Sequence, residues 1–161
     1  MDIKKFTRIA MFAALACVLT IFPQVPTPTG GYVHFGDSVI YIASAFMGPI
    51  PGAIVGAVGH CLADIISGHP VYALPTFIIK GLMGLVIGKI LYQRTGLRHL
   101  IKAGIAALFI VTFGYFIAEI PMYGVAVAAT SFISSPVQWL MSLVATAVLV
   151  PILNKAKLKM K

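Results

Sequence analysis

An all-α integral membrane bundle is the fold class this sequence predicts, and three observations predict it. Of 161 residues, 60% are hydrophobic and only 10% are charged. Soluble domains carry about 25% charged residues, so this chain has too few to cover a water-facing surface. Apolar runs recur at roughly 20-residue spacing, the length a helix needs to cross a hydrocarbon core of about 30 Å. The alternating segments of about ten residues that build a membrane β-barrel are absent. A mean hydropathy of +1.00 agrees, and residues 1–161 read as one six-helix membrane domain.

The first span covers about residues 6–22. Lys4, Lys5 and Arg8 ahead of it give a signal-peptide look. No small-x-small cleavage site follows, however, and "PQVPTPTGG" comes next, so the segment reads as a retained helix. The second span covers about 38–47 and the third about 52–67. Gly48, Pro49, Pro51 and Gly52 separate them, because proline lacks the N–H and glycine the side chain that would continue a helix. Asp37 stands just before the second span, placed to cap its N-terminus and to anchor the loop 23–37, whose prolines and glycines predict a helix-free lid. The remaining spans cover about 76–92, 101–123 and 135–153.

Orientation follows from the basic residues, since short cytoplasmic loops carry the excess of Lys and Arg. Lys4, Lys5 and Arg8 precede the first span. Lys89, Arg94, Arg98 and Lys102 surround the fourth connection, and Lys155, Lys157, Lys159 and Lys161 follow the last. With six crossings these groups, all but one of the 12 basic residues, fall on one side, which predicts N-in/C-in. The net charge of +8 is then membrane topology, with a basic tail able to touch anionic lipid, and not a nucleic-acid footprint.

The exception is Lys80, near the outer end of the fourth span. Asp37, Asp64 and Glu119 also map to the outer half, with His34, His69, Tyr32, Tyr72, Tyr123, Gln138 and Trp139. An ionisable residue within a span costs a few kcal/mol or more and so faces the bundle interior, a wet cavity or a partner charge. Asp64 and Lys80 are the expected structural ion pair, locking the third helix to the fourth. Glu119 has no basic neighbour in sequence and is the better ligand contact; its bland alternative is a glutamate reaching to the interface. The tyrosines and Trp139 equally suit an interfacial aromatic belt. His60, mid-span, reads as a packed histidine.

Gly52/Gly56 and Gly84/Gly88 lie four apart, as do Ala10 and Ala14, a spacing that lets helix backbones approach in lipid and suits a surface for another membrane protein. Cys17 and Cys61 lack ligand or redox spacing and read as packing residues. Catalytic signals fail. "GLVIGK" is not a phosphate loop, because position 83 is Met and Ile90 follows Lys89. G-x-S-x-G, H-E-x-x-H and an acidic metal cluster are missing, so no enzyme activity, cofactor or metal is expected. No inverted repeat of the kind found in secondary transporters is evident.

The stretch "TGGYVHFGDSVIYIASAFMGPIPGAIVGAVGHCLADIISGHPVYALPTFIIKGLMGLVIG", followed by "GYFIAEIPMYG", resembles the substrate-binding S components of energy-coupling factor (ECF) vitamin transporters. It is most similar to the hydroxymethylpyrimidine or pyridoxine subgroup. The motifs are "GYVHFGD", "GPIPGAIVGAVG", "AD", "PTFIIKG" and the fifth-helix segment, and in this order they cover nearly the whole chain. The resemblance implies an S component that captures a vitamin or its precursor outside, docks on a membrane scaffold subunit carrying two cytoplasmic ATPases, and releases ligand inside by toppling. It also implies that Ala10 and Ala14, matching the family's A-x-x-x-A motif, face the scaffold, and that the outer loops and helix halves form the pocket. One departure is Ser135, in "SSPVQW", where the subgroup often has Asn.

Tyr32, His34, Lys80, Glu119, Tyr123, Gln138 and Trp139 are accordingly the expected substrate-binding residues, with Asp37 and Asp64 structural. A small heteroaromatic ring would stack on Tyr or Trp while polar groups bond its edge. The alternatives are a different micronutrient, such as riboflavin or a queuosine precursor, a stand-alone secondary transporter using Asp64, Lys80 and Glu119 as an ion relay, or a ligand-free structural adaptor.

Overall fold

The computed structural model describes residues 2–26, 32–94 and 96–155. The order is helix α1 (Ile3–Ile21), strands β1 (Val25–Pro26) and β2 (Tyr32–Val33), then α2 (Gly36–Met47) and α3 (Pro49–Ile66). A 3-10 turn (Pro70–Tyr72) leads into α4 (Ala73–Leu91), followed by α5 (Leu97–Tyr123), the four-residue α6 (Val125–Ala128) and α7 (Ser131–Lys155). The strands pair antiparallel, Val25 opposite Val33 and Pro26 opposite Tyr32. Of the expected lid loop, residues 27–31 lie outside the described residues, as do the lysines of 156–161.

Each predicted span overlaps a helix, and the helices are of unequal kind. Pro49–Ile66, Pro70–Leu91, Leu97–Tyr123 and Val125–Ile152 are long and apolar enough to cross a membrane. The second element, α2, is apolar but only 12 residues long. It is buried along its whole length except for half-buried Phe46, and a helix that is apolar all round belongs inside other helices. Ile40, Tyr41 and Ala45 pack with Ile79, Met83 and Ile87 of α4 and with Ala103, Ala107 and Val111 of α5. Val39, Ala43 and Met47 pack with Ile9 and Ala16 of α1 and Val55 of α3.

The start of α2 corrects the capping expectation. Phe35 is the N-cap residue and no side chain caps the helix, so Asp37 lies inside the first turn, 2% exposed. The helix can begin at Gly36 because α1 presses there: a side chain on Gly36 would run into the Thr20 hydroxyl. Gly48 alone, at φ 96°, turns the chain from α2 into α3, a left-handed backbone that suits glycine.

The small-residue spacings mostly serve the inside of the molecule. A Cβ on Gly84 would meet the Gly52 carbonyl, and one on Gly56 would meet the Lys80 carbonyl. That close α3–α4 approach sets Lys80 against the middle of α3. Gly59 does the same for α1, against Ala13 and Ala16. Ala10 and Ala14, in contrast, are exposed. On α5, Ile105, Phe109, Phe113 and Ile117 form an exposed apolar row while Ala103, Ala107 and Val111 face the core, the four-residue recurrence of a helix with one face toward lipid.

Candidate functional site

A cavity of about 130 Å³ lies between α3, α4, α5 and α7, at the end where α3 and α5 finish and α4 and α7 begin. Its lining follows from helix periodicity. Residues three or four apart share a face, one turn above each other. Four helices supply such ladders: His60 and Asp64; Tyr72, Thr76 and Lys80; Val111, Tyr115 and Glu119; and Ser131, Ser135 and Gln138. The antiparallel senses of the helices turn these ladders into three levels. Lys80, His60 and Gln138, with His34 and Thr20, make the floor. Tyr72, Glu119 and Ser131, with His69 and Thr130, make the rim.

The floor rests on a buried ion pair. Lys80 Nζ lies 2.8 Å from both Asp37 Oδ1 and Oδ2, and both side chains are 3% exposed. This overturns the expected Asp64–Lys80 pair: α2, wedged against α4, brings Asp37 to the ammonium, and Asp64 lines the cavity instead. A buried charge needs such a partner, because an uncompensated ion in low dielectric costs several kcal/mol. His60 Nε2 also stands 3.1 Å from Asp37 Oδ1, off the hydrogen-bonding direction, while its Nδ1 faces the Gly56 carbonyl at 3.1 Å.

Next to this pair, the His34 backbone N–H donates to Gln138 Oε1 at 2.8 Å, and Gly36 N–H donates to His34 Nδ1 at 3.1 Å. These bonds tie the start of α2 to α7. Burial holds the His34 imidazole well below its ordinary pKa, since desolvation disfavours the charged ring. His34, Asp37 and His60 place potential metal-ligand atoms within 4.8 Å of one another. Lys80 already occupies both Asp37 oxygens and Gly36 N–H occupies His34 Nδ1, so the donor set is a poor fit for a cation.

At the rim, Glu119 gathers three elements. Its Oε1 accepts from the Tyr72 hydroxyl at 3.2 Å and its Oε2 from the Ser131 hydroxyl at 2.6 Å. Thr76 and Tyr115 hydroxyls lie 3.0 Å apart just below, and the Tyr115 ring centroid is 5.8 Å from Lys80 Nζ. Tyr123 is outside the lining and stacks on Tyr72, with centroids 5.9 Å apart.

Of the expected binding residues, His34, Lys80, Glu119 and Gln138 therefore line one cavity, and Tyr123 supports it from behind. Trp139 does not line it. It follows Gln138 on a helix, about 100° around the axis, and its indole packs against Gly104 of α5. The structure places the Tyr32 backbone in β2; its side chain is outside the described residues. Sequence reasoning missed His60, Tyr72, Thr76, Tyr115 and Ser131 as lining residues, and the signal that finds them is the four-residue ladder running through the polar positions of each helix.

Comparison with known proteins agrees with this architecture. A family model described as "ECF-type riboflavin transporter, S component" matches residues 1–155. A Pyrococcus woesei protein described only as an uncharacterized protein in a gap 3' region is 32% identical over 122 residues, covering 75% of this chain and 82% of that one. A UPF0397 protein of Streptococcus pneumoniae (strain Hungary19A-6) is 34% identical over 88 residues, 53% of this chain and 47% of that protein. Among solved structures, "Structure and mechanism of the S component of a bacterial ECF transporter" superposes with TM-score 0.76 at 23% identity, covering 96% of this chain and 98% of that one. "Crystal structure of FolT bound with folic acid" superposes with TM-score 0.72 at 18% identity, covering 91% of each. The fold is shared with both, and a match along nearly the whole chain assigns the sequence: it belongs to the ECF-type transporter S components, multi-pass membrane proteins of the substrate-binding kind.

Proposed function

We propose that this chain captures a small vitamin or vitamin precursor with a single heteroaromatic ring, of pyridoxine or hydroxymethylpyrimidine type, from outside the cell. The observation that carries the reading is the polar cavity: four ladders converge on a space of about 130 Å³, close to the roughly 150 Å³ that accommodates benzene. Tyr115 supplies an aromatic face, while Lys80, Gln138 and Glu119 supply directed polar contacts, the usual mixture of a ligand site. The matched family's description names riboflavin; the preference for a single ring rests on the volume of about 130 Å³. Tyr32, in the strand that leads to His34, stays an expected ligand contact in this reading. An ion relay is disfavoured because Lys80 and Asp37 hold each other and the cavity at the opposite end of the bundle is lined by apolar side chains.

In the same reading the chain sits N-in/C-in, and a scaffold subunit with two ATPases drives release. Ala10 and Ala14, exposed on α1 and not used in internal packing, are the scaffold contact. Native mass spectrometry of mildly purified protein tests the ligand: a co-purified single-ring heterocycle is expected. Bound riboflavin would replace the assignment, and an empty protein that also binds no ring vitamin tighter than about micromolar would end it.

A further inference from the structure

The two ends of the cavity have opposite hydrogen-bonding sense. At the floor the charged group is a donor. A lysine ammonium carries three N–H bonds and no acceptor; two point to the Asp37 oxygens, both at 2.8 Å, leaving one for the cavity that Lys80 lines. Gln138 is fixed in the same sense. Its oxygen is held by the His34 backbone N–H at 2.8 Å and its amide nitrogen stands 3.1 Å from both His34 ring nitrogens, so of its two N–H bonds one is turned to the imidazole and one is left to donate. Asp37 is not among the lining residues, so its charge anchors the donors without facing a ligand.

At the rim the sense reverses. Glu119 accepts the Tyr72 and Ser131 hydroxyl protons, which uses two of about four lone-pair positions on a carboxylate. Both hydroxyls have spent their protons on Glu119, so their oxygens too are left as acceptors. Floor and rim are separated by eight residues along α4 and α5, or about 12 Å of helix rise.

We infer that the occupant is a heterocycle with a donor and an acceptor on opposite edges, bound in one orientation: an acceptor nitrogen or oxygen toward Lys80 and Gln138, and an amino or cationic N–H toward Glu119. This rests on the binding reading above and narrows it. An aminopyrimidine, whose exocyclic amine lies across the ring from a ring nitrogen, meets the requirement. Pyridoxine fits less well: with its ring N–H at Glu119 its 4-hydroxymethyl oxygen reaches toward Lys80, but its phenol oxygen, meta to the nitrogen, meets neither end.

Calorimetric titration of the purified full-length protein tests this, with 4-amino-5-hydroxymethyl-2-methylpyrimidine, its 4-dimethylamino analogue and pyridoxine as probes. The aminopyrimidine is expected to bind tightest, and the dimethylamino analogue to lose at least about tenfold, the scale of a lost hydrogen bond to a charged group. Glu119→Gln should shrink that ratio. Gln138→Glu keeps the oxygen that takes the His34 N–H but removes the donor, and should weaken the aminopyrimidine by about tenfold or more. Gln138→Met should do the same but also strands the His34 N–H, so the fold is checked by the melting temperature of the Gln138→Glu protein. Equal affinity for the two pyrimidines, or a ratio that Glu119→Gln leaves unchanged, overturns the polarity. Tighter binding of pyridoxine overturns it while leaving the ring-vitamin reading intact; binding of no probe brings down both.

Discussion

Two cavities occupy opposite ends of the same helices, and they are chemically unlike. The one discussed above is ringed by ionisable and hydroxyl side chains. The other, about 90 Å³, is lined by Ala45, Leu91, Leu97, Leu100, Ala147, Val150 and Pro151, with no polar side chain among the described residues. Imperfect packing of helix ends is enough to explain an apolar gap in a membrane bundle. It does not explain the other one, because each ionisable group placed inside a span costs a few kcal/mol unless it is partnered. The contrast teaches that the polar groups are concentrated where they hold one another and face a common space.

The sharpest way to break the contrast is at the ion pair. Asp37→Asn leaves the Lys80 ammonium buried without its counter-charge and should destabilise the protein by about 3–5 kcal/mol, read as thermal unfolding in detergent. Adding Lys80→Met should recover part of the loss; an Asp37→Asn protein as stable as the parent would show that the pair does not hold the floor. A smaller effect is expected one layer out. Gly56→Ala drives a methyl into the Lys80 carbonyl, so α3 and α4 must separate, at about 1–3 kcal/mol and with weaker ligand binding as the floor shifts. At the apolar end, Ala147→Leu should change stability by no more than about 0.5 kcal/mol and leave ligand affinity untouched. Loss of binding there would mean that the two ends are coupled.

Much of the cup could be read from residue types alone. Lys80, Glu119, Gln138 and His34 stand out because polar groups in apolar runs need a reason to be there. The partners could not be read the same way. Asp64 is 16 positions from Lys80 and also maps to the outer half, whereas Asp37 is 43 positions away. Only the burial of α2 between α1, α3, α4 and α7 puts its carboxylate on the ammonium. Asp37 before an apolar run looks like a cap because local pattern cannot tell a first turn in solvent from one inside a bundle. Trp139 misled for a different reason. Aromatic identity suggested a stacking surface, but a residue adjacent to Gln138 on a helix cannot share its face. His60 taken singly reads as a packed histidine, although its spacing from Asp64 matches the ladders of the other helices.

The amino-acid sequence on its own determined that the chain lives in a membrane as helices, that its breaks fall at glycines and prolines, and that Asp37, Asp64, Lys80 and Glu119 gather at the end away from the other basic residues. These properties depend on composition and on periodicity along a single chain. Which helix is innermost, which carboxylate neutralises Lys80 and which way each ladder faces came from packing. Those outcomes depend on close backbone approaches, such as Gly52 against Gly84 and Gly56 against Lys80, between residues far apart in the chain. Small side chains permit such approaches at many positions, and only the assembled bundle selects among them.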